Sequence, residues 1–415
     1  MLDPITLTIG KIYKAESPRI LAGLIRILGD LSLAEEALQE AFSVAIEKWP
    51  VEGIPTNPYA WLISVGKFKA IDAIRKISRG NELGSEISRI EQLLDQREID
   101  QSDWDNSLIE DDQLRLIFYC CHPVLPLDSQ IALSLKEVCA MRVVEIARAF
   151  LLASETIKKR ITRAKALIKA NNIPYEIPSQ FELRERMDAV LRVIYLIFNE
   201  GYSASAGEDH IRKELMDEGI FLGRKLVELN PTSESLGLLA LLLLQASRRN
   251  SRVTKDGDLI PLEEQDRSQW DYRLINEGVE LIQSAVMSGR LGPYTLQAAI
   301  ASVHALAASV EETQWDLIIR YYDMLLSINP SPIVALNRAI AVGMHEGPQS
   351  GLKIIDVLMD DEKLRNYHIL YAVKADFSQR LGLTTAAIKA YQRAIELVQQ
   401  EPEARYLKKQ LDGIL

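Results

Sequence analysis

Val143-Val-Glu-Ile-Ala-Arg-Ala-Phe150, Leu151-Leu-Ala153 and Ser154-Glu-Thr-Ile-Lys-Lys-Arg-Ile-Thr-Arg-Ala-Lys-Ala-Leu-Ile-Lys169 decide how this chain is read. Ile146, Ala147 and Phe150 share one face of a short helix, and a tight turn follows. Ser154 is placed to cap a second helix, its hydroxyl accepting from an otherwise unpaired N–H. Ile157, Ile161, Ala164 and Ile168 recur at helical spacing and face inward. That leaves Glu155, Thr156, Lys158, Lys159, Thr162 and Arg163 outside, near the N-terminal half of the helix. A recognition helix in a major groove needs such groups: small polar side chains to read base edges and cations to hold phosphates. An ordinary helical hairpin with a basic face has the same pattern, and the pattern alone leaves both readings open.

The surroundings narrow the choice. The chain has 415 residues, 47% of them hydrophobic, which is ample for packed cores and excludes wholesale disorder. The length suits two to four domains. The net charge of −10 argues, as an average, against a nucleic-acid binder. The average is uneven, however. Lys67, Lys69, Arg75, Lys76 and Arg79 face a single Asp72, and Lys158, Lys159, Arg160, Arg163, Lys165 and Lys169 face only Glu155. Acids crowd instead between Asn81 and Asp112, which reads as a mobile linker. A second break, Asn171 to Gln180, holds two prolines and two asparagines. Three blocks result: 1–78, 108–172 and 180–415, with 79–107 as the acidic linker. Helical periodicity dominates and strand signals are almost absent, so the fold class is all-α.

Three cysteines, two of them the adjacent Cys120 and Cys121, make no disulfide framework and suit a reducing cytoplasm. With His122 they suggest a metal, but neighbouring cysteines chelate poorly and no second cluster follows; no metal and no cofactor is expected. The start has no signal-peptide pattern. The longest apolar run, Leu236 to Leu244, falls far short of the roughly 20 residues of a membrane span, so it predicts a buried helix and no membrane contact.

The second block resembles the region-four domain of bacterial sigma factors of the extracytoplasmic-function group. Thr156, Ile157, Arg160, Ile161, Arg163, Ala164, Lys165 and Ile168 fill that family's pattern. The first block is similar to region two: Leu33-Ala-Glu-Glu-Ala-Leu-Gln-Glu-Ala-Phe42 matches one of its helices, and Asn57-Pro-Tyr-Ala-Trp-Leu-Ile-Ser-Val-Gly-Lys-Phe-Lys-Ala-Ile-Asp-Ala-Ile-Arg-Lys76 the next. The resemblance implies a non-enzymatic subunit of RNA polymerase that directs the core to promoters and helps open them. Glu35, Glu36, Gln39 and Glu40, opposite an apolar face of Leu33, Ala37, Leu38, Ala41 and Phe42, would dock on the clamp helices of the largest subunit, with region four on the flap. Acids facing a basic partner give orientation and on-rate. Trp61, Lys67, Phe68, Lys69, Arg75 and Lys76 would serve the minus-ten element, where unstacked bases need positive charge and a snug pocket. Trp61, Leu62, Val65 and Ile74 are also expected to pack the core. Phe68 stands where the family often has Asn, and its ring can stack on a base. Asp72 reads as structural. The resemblance places the helix from Ser154 at the minus-thirty-five element, with Lys158 and Lys159 as base or phosphate contacts and Arg160 and Arg163 as backbone clamps.

More than half the chain lies beyond residue 180. Gly382 to Leu397 fits the second helix of a tetratricopeptide repeat, with Ala387, Tyr391 and Ala394 at packing positions. Trp315 to Pro330 fits the same template, Gly219 to Pro231 fits it loosely, and Gly347 falls at the turn of the next register. The whole resembles the sigma-factor subgroup with a C-terminal tetratricopeptide-like extension, which implies regulation through contact with polymerase, the sigma domains or another protein. Tyr195 to Tyr202, Glu264 to Asp271 and Gly292 to His304 are dense polar motifs without an assigned role. The paired carboxylates Glu264 and Asp266 lack a nucleophile or a metal-ligand spacing, and Gly66-Lys67-Phe68 lacks the rest of a phosphate loop. A helix-turn-helix regulator with a repeat-type interaction domain is the alternative.

Overall fold

A computed structural model describes residues 4–78, 106–150, 152–202, 212–254 and 257–414. The acidic linker, residues 79–107, falls almost wholly outside them. The regular structure is all-α, with 77% of the described residues helical. Among the described residues the β content is one isolated antiparallel bridge, Val253 to Leu259. The chain divides into two compact units, one ending at Val193 and the other starting at Ile194.

In the first unit, α1 (Pro4–Leu28), α2 (Leu31–Glu52) and α3 (Pro58–Ser78) pack against one another. Gly29, at φ +73°, ends α1, and the Asp30 carboxylate caps α2 by accepting from Leu33 N at 2.8 Å. The buried stripe of α2 is Leu31, Ala34, Leu38, Ala41, Ala45 and Trp49, with Ala37 and Phe42 beside it. Leu33, expected on this face, is only half-buried, because the helical period starts from Leu31. The approach is close where α3 crosses α2: a Cβ on Gly66 would stand 3.2 Å from the Ala37 carbonyl oxygen. Leu62 and Ile63 are fully buried. Trp61, Val65 and Ile74 are half-buried, and the Trp61 ring lies 5.3 Å from Trp49.

Among the described residues four further helices lie wholly in this unit: α4 (Asn106–Cys120), α5 (Leu127–Glu137), α6 (Val143–Ala149) and α7 (Ser154–Ala170). Asp112 ties α4 to α1. Its buried carboxylate accepts from Arg26 at 2.8 Å and Arg115 at 2.7 Å, and its carbonyl accepts from the Tyr175 hydroxyl at 2.7 Å. Two cations offset the burial of one carboxylate, although burial still raises its pKa. Cys120 at the end of α4 and Cys121 just after it are both buried, and burial pushes the Cys121 thiol up to about 12. His122 lies just beyond the helix end, its Nδ1 accepting from Val124 N.

Helix α8 (Gln180–Tyr202) carries the chain into the second unit. There follow α9 (Lys213–Leu229), α10 (Ser233–Ala246), α11 (Tyr272–Ser288), α12 (Pro293–Leu306), α13 (Trp315–Ile328), α14 (Pro332–Glu346), α15 (Pro348–Leu358), α16 (His368–Arg380), α17 (Thr384–Leu397) and α18 (Glu401–Asp412). From α9 to α18 each helix packs on its sequence neighbour, and α10 also meets α12, as α14 meets α16. Such nearest-neighbour packing builds one continuous core from locally adjacent pairs. It also explains the leucine run: α10 lies among α9, α11 and α12, so Leu238 to Leu244 are buried all round. Glu234 on α10 fastens this junction, its carboxylate accepting from the N–H groups of Tyr294 and Thr295 at the start of α12. Gly347 and Gly382, at φ +101° and +73°, make the turns into α15 and α17. Ala387, Tyr391 and Ala394 are buried on α17.

Candidate nucleic-acid interface

The turn between α6 and α7 is closed by Phe150 N donating to Ile146 O at 3.0 Å and Leu152 N to Ala147 O at 2.9 Å. Glu145 reaches back to cap its own helix, accepting from Arg142 N at 2.7 Å. Helix α7 starts one residue earlier than the Ser154 cap predicts. Ala153 occupies the cap position and Ser154 is the first helical residue, with no side-chain capping bond. The turn hydrogen bonds to the Ala153 carbonyl from Thr156 and Ile157 start the helix instead.

Ile157, Ile161, Ala164 and Ile168 are buried, which locks α7 onto α5 and α6. Glu155, Thr156, Lys158, Lys159, Thr162 and Arg163 are exposed on the other side and Ser154 is half-buried. Lys158 and Glu155 approach to 3.9 Å, but both are exposed, so the pair holds the lysine only weakly. Lys159 and Arg163 form no ion pair among the described residues. Arg160 points differently from its neighbours. Its side chain is 21% exposed, meets Asp128 of α5 at 3.4 Å and stacks over the Phe150 ring at 5.4 Å. Its first role is to brace α7 on its own domain.

On α3 the Phe68 ring is 66% exposed, flanked by half-buried Lys67 and exposed Lys69 and Arg75. Asp72, read as structural, lies exposed on the same helix. The Lys76 side chain lies outside the described residues. On α2, Glu36, Gln39 and Glu40 are exposed. Glu40 lies 3.8 Å from Lys69, so one acid of the expected polymerase face sits beside one cation of the expected minus-ten face.

Glu35 is different. Lys165 of α7 lies 2.5 Å from its carboxylate and 2.9 Å from that of Glu137 on α5. Glu137 is 3% exposed and Lys165 19%. Burial alone would lower the pKa of Lys165, but the two carboxylates outweigh it and hold the amine above its ordinary range. Burial raises Glu137. A weaker contact, Lys169 to Asp30 at 3.8 Å, lies beside this triad. The expected docking and DNA-reading surfaces therefore touch through α2 and α7. Of the residues that join them, Lys165 is legible only as part of the basic stretch and the region-four pattern, and Glu137 carries no sequence signal.

Comparison with known proteins adds three findings. Residues 12–80, covering most of α1 and all of α2 and α3, match the Sigma-70 region 2 model. Residues 186–286 match a family of unknown function (DUF6596). The chain is 43% identical over 399 residues to an uncharacterized protein of Rhizobium meliloti (strain 1021), covering 96% of this chain and 93% of the relative.

Proposed function

This chain is a sigma-70 family member, of one family with the Rhizobium meliloti protein, and from that premise we propose that it is a sigma factor of the extracytoplasmic-function group with a regulatory tail. Residues 1–78 form its region two, 108–172 its region four and 180–415 a tetratricopeptide-like extension. The outer face of α7 is the observation that carries the reading: Thr156, Lys158, Lys159, Thr162 and Arg163 stay exposed while the opposite side is fully packed. We assign this face to the minus-thirty-five element, with Ser154 and Glu155 at its edge and Arg160 as its brace. Lys67, Phe68, Lys69 and Arg75 on α3, with Trp61 and Lys76, serve the minus-ten element, Phe68 as a stacking surface. Glu35, Glu36, Gln39 and Glu40 are the polymerase-facing acids.

The core enzyme performs the chemistry; this subunit supplies position and specificity. Its negative total charge is compatible with that role, because promoter contact needs only local positive faces when the polymerase supplies the remaining electrostatics. The test is run-off transcription with core polymerase on a promoter library. Promoter-dependent transcripts that disappear with the double substitution K158E and K159E support the assignment. Tight duplex binding without any direction of the core would overturn it in favour of a helix-turn-helix regulator.

A further inference from the structure

In the charged stretch Glu264 to Asp271 the two aspartates act as caps, which leaves Glu264 and Arg267. Asp266 accepts from Ser268 N at 3.0 Å and from the Ser268 hydroxyl at 2.6 Å. Asp271 accepts from Arg273 N and Leu274 N at the start of α11. Both aspartates are thereby committed to local backbone. Arg267, between them, forms no ion pair among the described residues. Its Nη1 donates to the carbonyls of His304 at 2.8 Å and Ala307 at 2.6 Å, and its guanidinium lies 4.7 Å from the Trp270 ring centre. Its Nη2 is buried with no partner. Arg248, another guanidinium without an ion pair among the described residues, stands 5.9 Å over the same ring. Glu311 acts on Arg267 through its charge without forming an ion pair, and burial together with Arg248 lowers the Arg267 pKa from its ordinary value.

Arg267 lines a cavity of about 230 Å³ between the 262–267 segment and α12, α13 and α14. His304, Trp315, Tyr322 and Asn337 share its wall, and Ile318, Ile340 and Ala341 make it apolar on one side. The Trp315 ring meets the His304 ring edge-to-face at 5.2 Å. Burial, reinforced by Arg248 and Arg267, holds His304 down at about 4, so near neutral pH its imidazole is uncharged. Of the nearby acids, Glu263, which also lines the cavity, lies 3.6 Å from Arg380, and Glu311 bonds to Ser309 while its charge acts on Arg267 without an ion pair. A cavity of roughly 150 Å³ accommodates benzene, while drug-sized ligands take about 300 Å³ or more. The space here suits a single ring with a small substituent.

We propose that this cavity is a binding site for a small aromatic carboxylate, with its carboxylate toward Arg267 and its ring among Trp315, Tyr322 and Ile340. The site belongs to the second unit and does not depend on the promoter assignment. Sodium benzoate is the probe, titrated into the full-length protein by calorimetry and by tryptophan fluorescence. Saturable one-to-one binding is expected. The neutral isostere benzamide, and the variant R267M with benzoate, should each bind about tenfold more weakly or worse, the loss of a charge-assisted hydrogen bond. Circular dichroism and a thermal melt establish that R267M is folded. If it is not, R267K and the benzoate–benzamide comparison on unaltered protein decide the matter. No saturable benzoate binding, equal affinity for benzamide, an unaffected folded R267M, or inorganic phosphate binding as tightly as benzoate would each overturn the proposal.

Discussion

Replacing Lys165 with Met should be among the most damaging single changes in the first unit. The amine serves two carboxylates, at 2.5 and 2.9 Å, and one of them, Glu137, is 3% exposed. Removing the cation leaves Glu137 buried and unpaired, a defect that typically costs about 3–5 kcal/mol. At roughly 2–4 °C per kcal/mol for a unit of this size, the first-unit transition should fall by roughly 6–20 °C. The cost depends on pH with a definite sign. Without Lys165 the folded-state pKa of Glu137 rises further above its unfolded value. The deficit is then largest at alkaline pH and shrinks as the carboxyl takes up a proton on acidification. Adding E137Q to K165M should restore most of the loss, because no charge is then stranded. Urea unfolding of the single and double variants, at pH 5.5 and 8, measures each term. A K165M cost below about 1 kcal/mol, the range of an exposed pair, would refute the reasoning, as would a double variant whose cost is the plain sum.

L242A, on the fully buried side of α10, should cost about 2–5 kcal/mol in the second-unit transition, read by calorimetry. In G343A the new Cβ would stand 2.2 Å from Phe377 Cζ, so overpacking of about 1–3 kcal/mol is expected in the same measurement. His304, held neutral at about 4, binds a proton more readily unfolded than folded; second-unit stability should fall as pH drops from about 6.5 toward 4, by up to roughly 3 kcal/mol, and H304N should remove that part of the slope in urea melts. Of the three thiols, native protein at pH 8 should expose only Cys139 to a thiol reagent, since Cys120 and Cys121 are buried and shifted upward; three equivalents reacting at once would contradict the buried α4 core.

Periodicity was legible where packing is local. The buried side of α7, the buried leucine run of α10 and the Ala387, Tyr391 and Ala394 stripe of α17 all follow from spacing alone. The turns at Gly347 and Gly382 were legible for the same reason, since repeats are built from neighbouring segments. Pairing across distant segments was not. Arg160 reads as one more cation in a basic run until Asp128, on a different helix, takes it. Lys165 reads as one member of a basic stretch until Glu35 and Glu137 enclose it. A charge pattern gives the sign of a face but not its partner, because the partner comes from tertiary contacts that composition does not encode. The one-residue shift at Ser154 has a smaller cause: a helix can begin on turn hydrogen bonds to Ala153 without a side-chain cap.

The contact between Lys165 and Glu35 also sets a limit of reach. Elements centred ten and thirty-five base pairs from a start site are about 85 Å apart along B-form DNA. From Lys158 the path runs along α7 to Lys165, across to Glu35, along α2 to Glu40 and across to Lys69; it covers no more than roughly 50 Å with every side chain extended. Under the proposed reading, a molecule folded this way touches one element or the other, not both. The 27 residues between Ser78 and Asn106 can span at most about 95 Å, enough to cover the distance once α2 and α7 separate. Under the proposed reading, parting that ion pair is a step in reaching the promoter, and its strength enters the equilibrium between the folded-up chain and the polymerase-bound one.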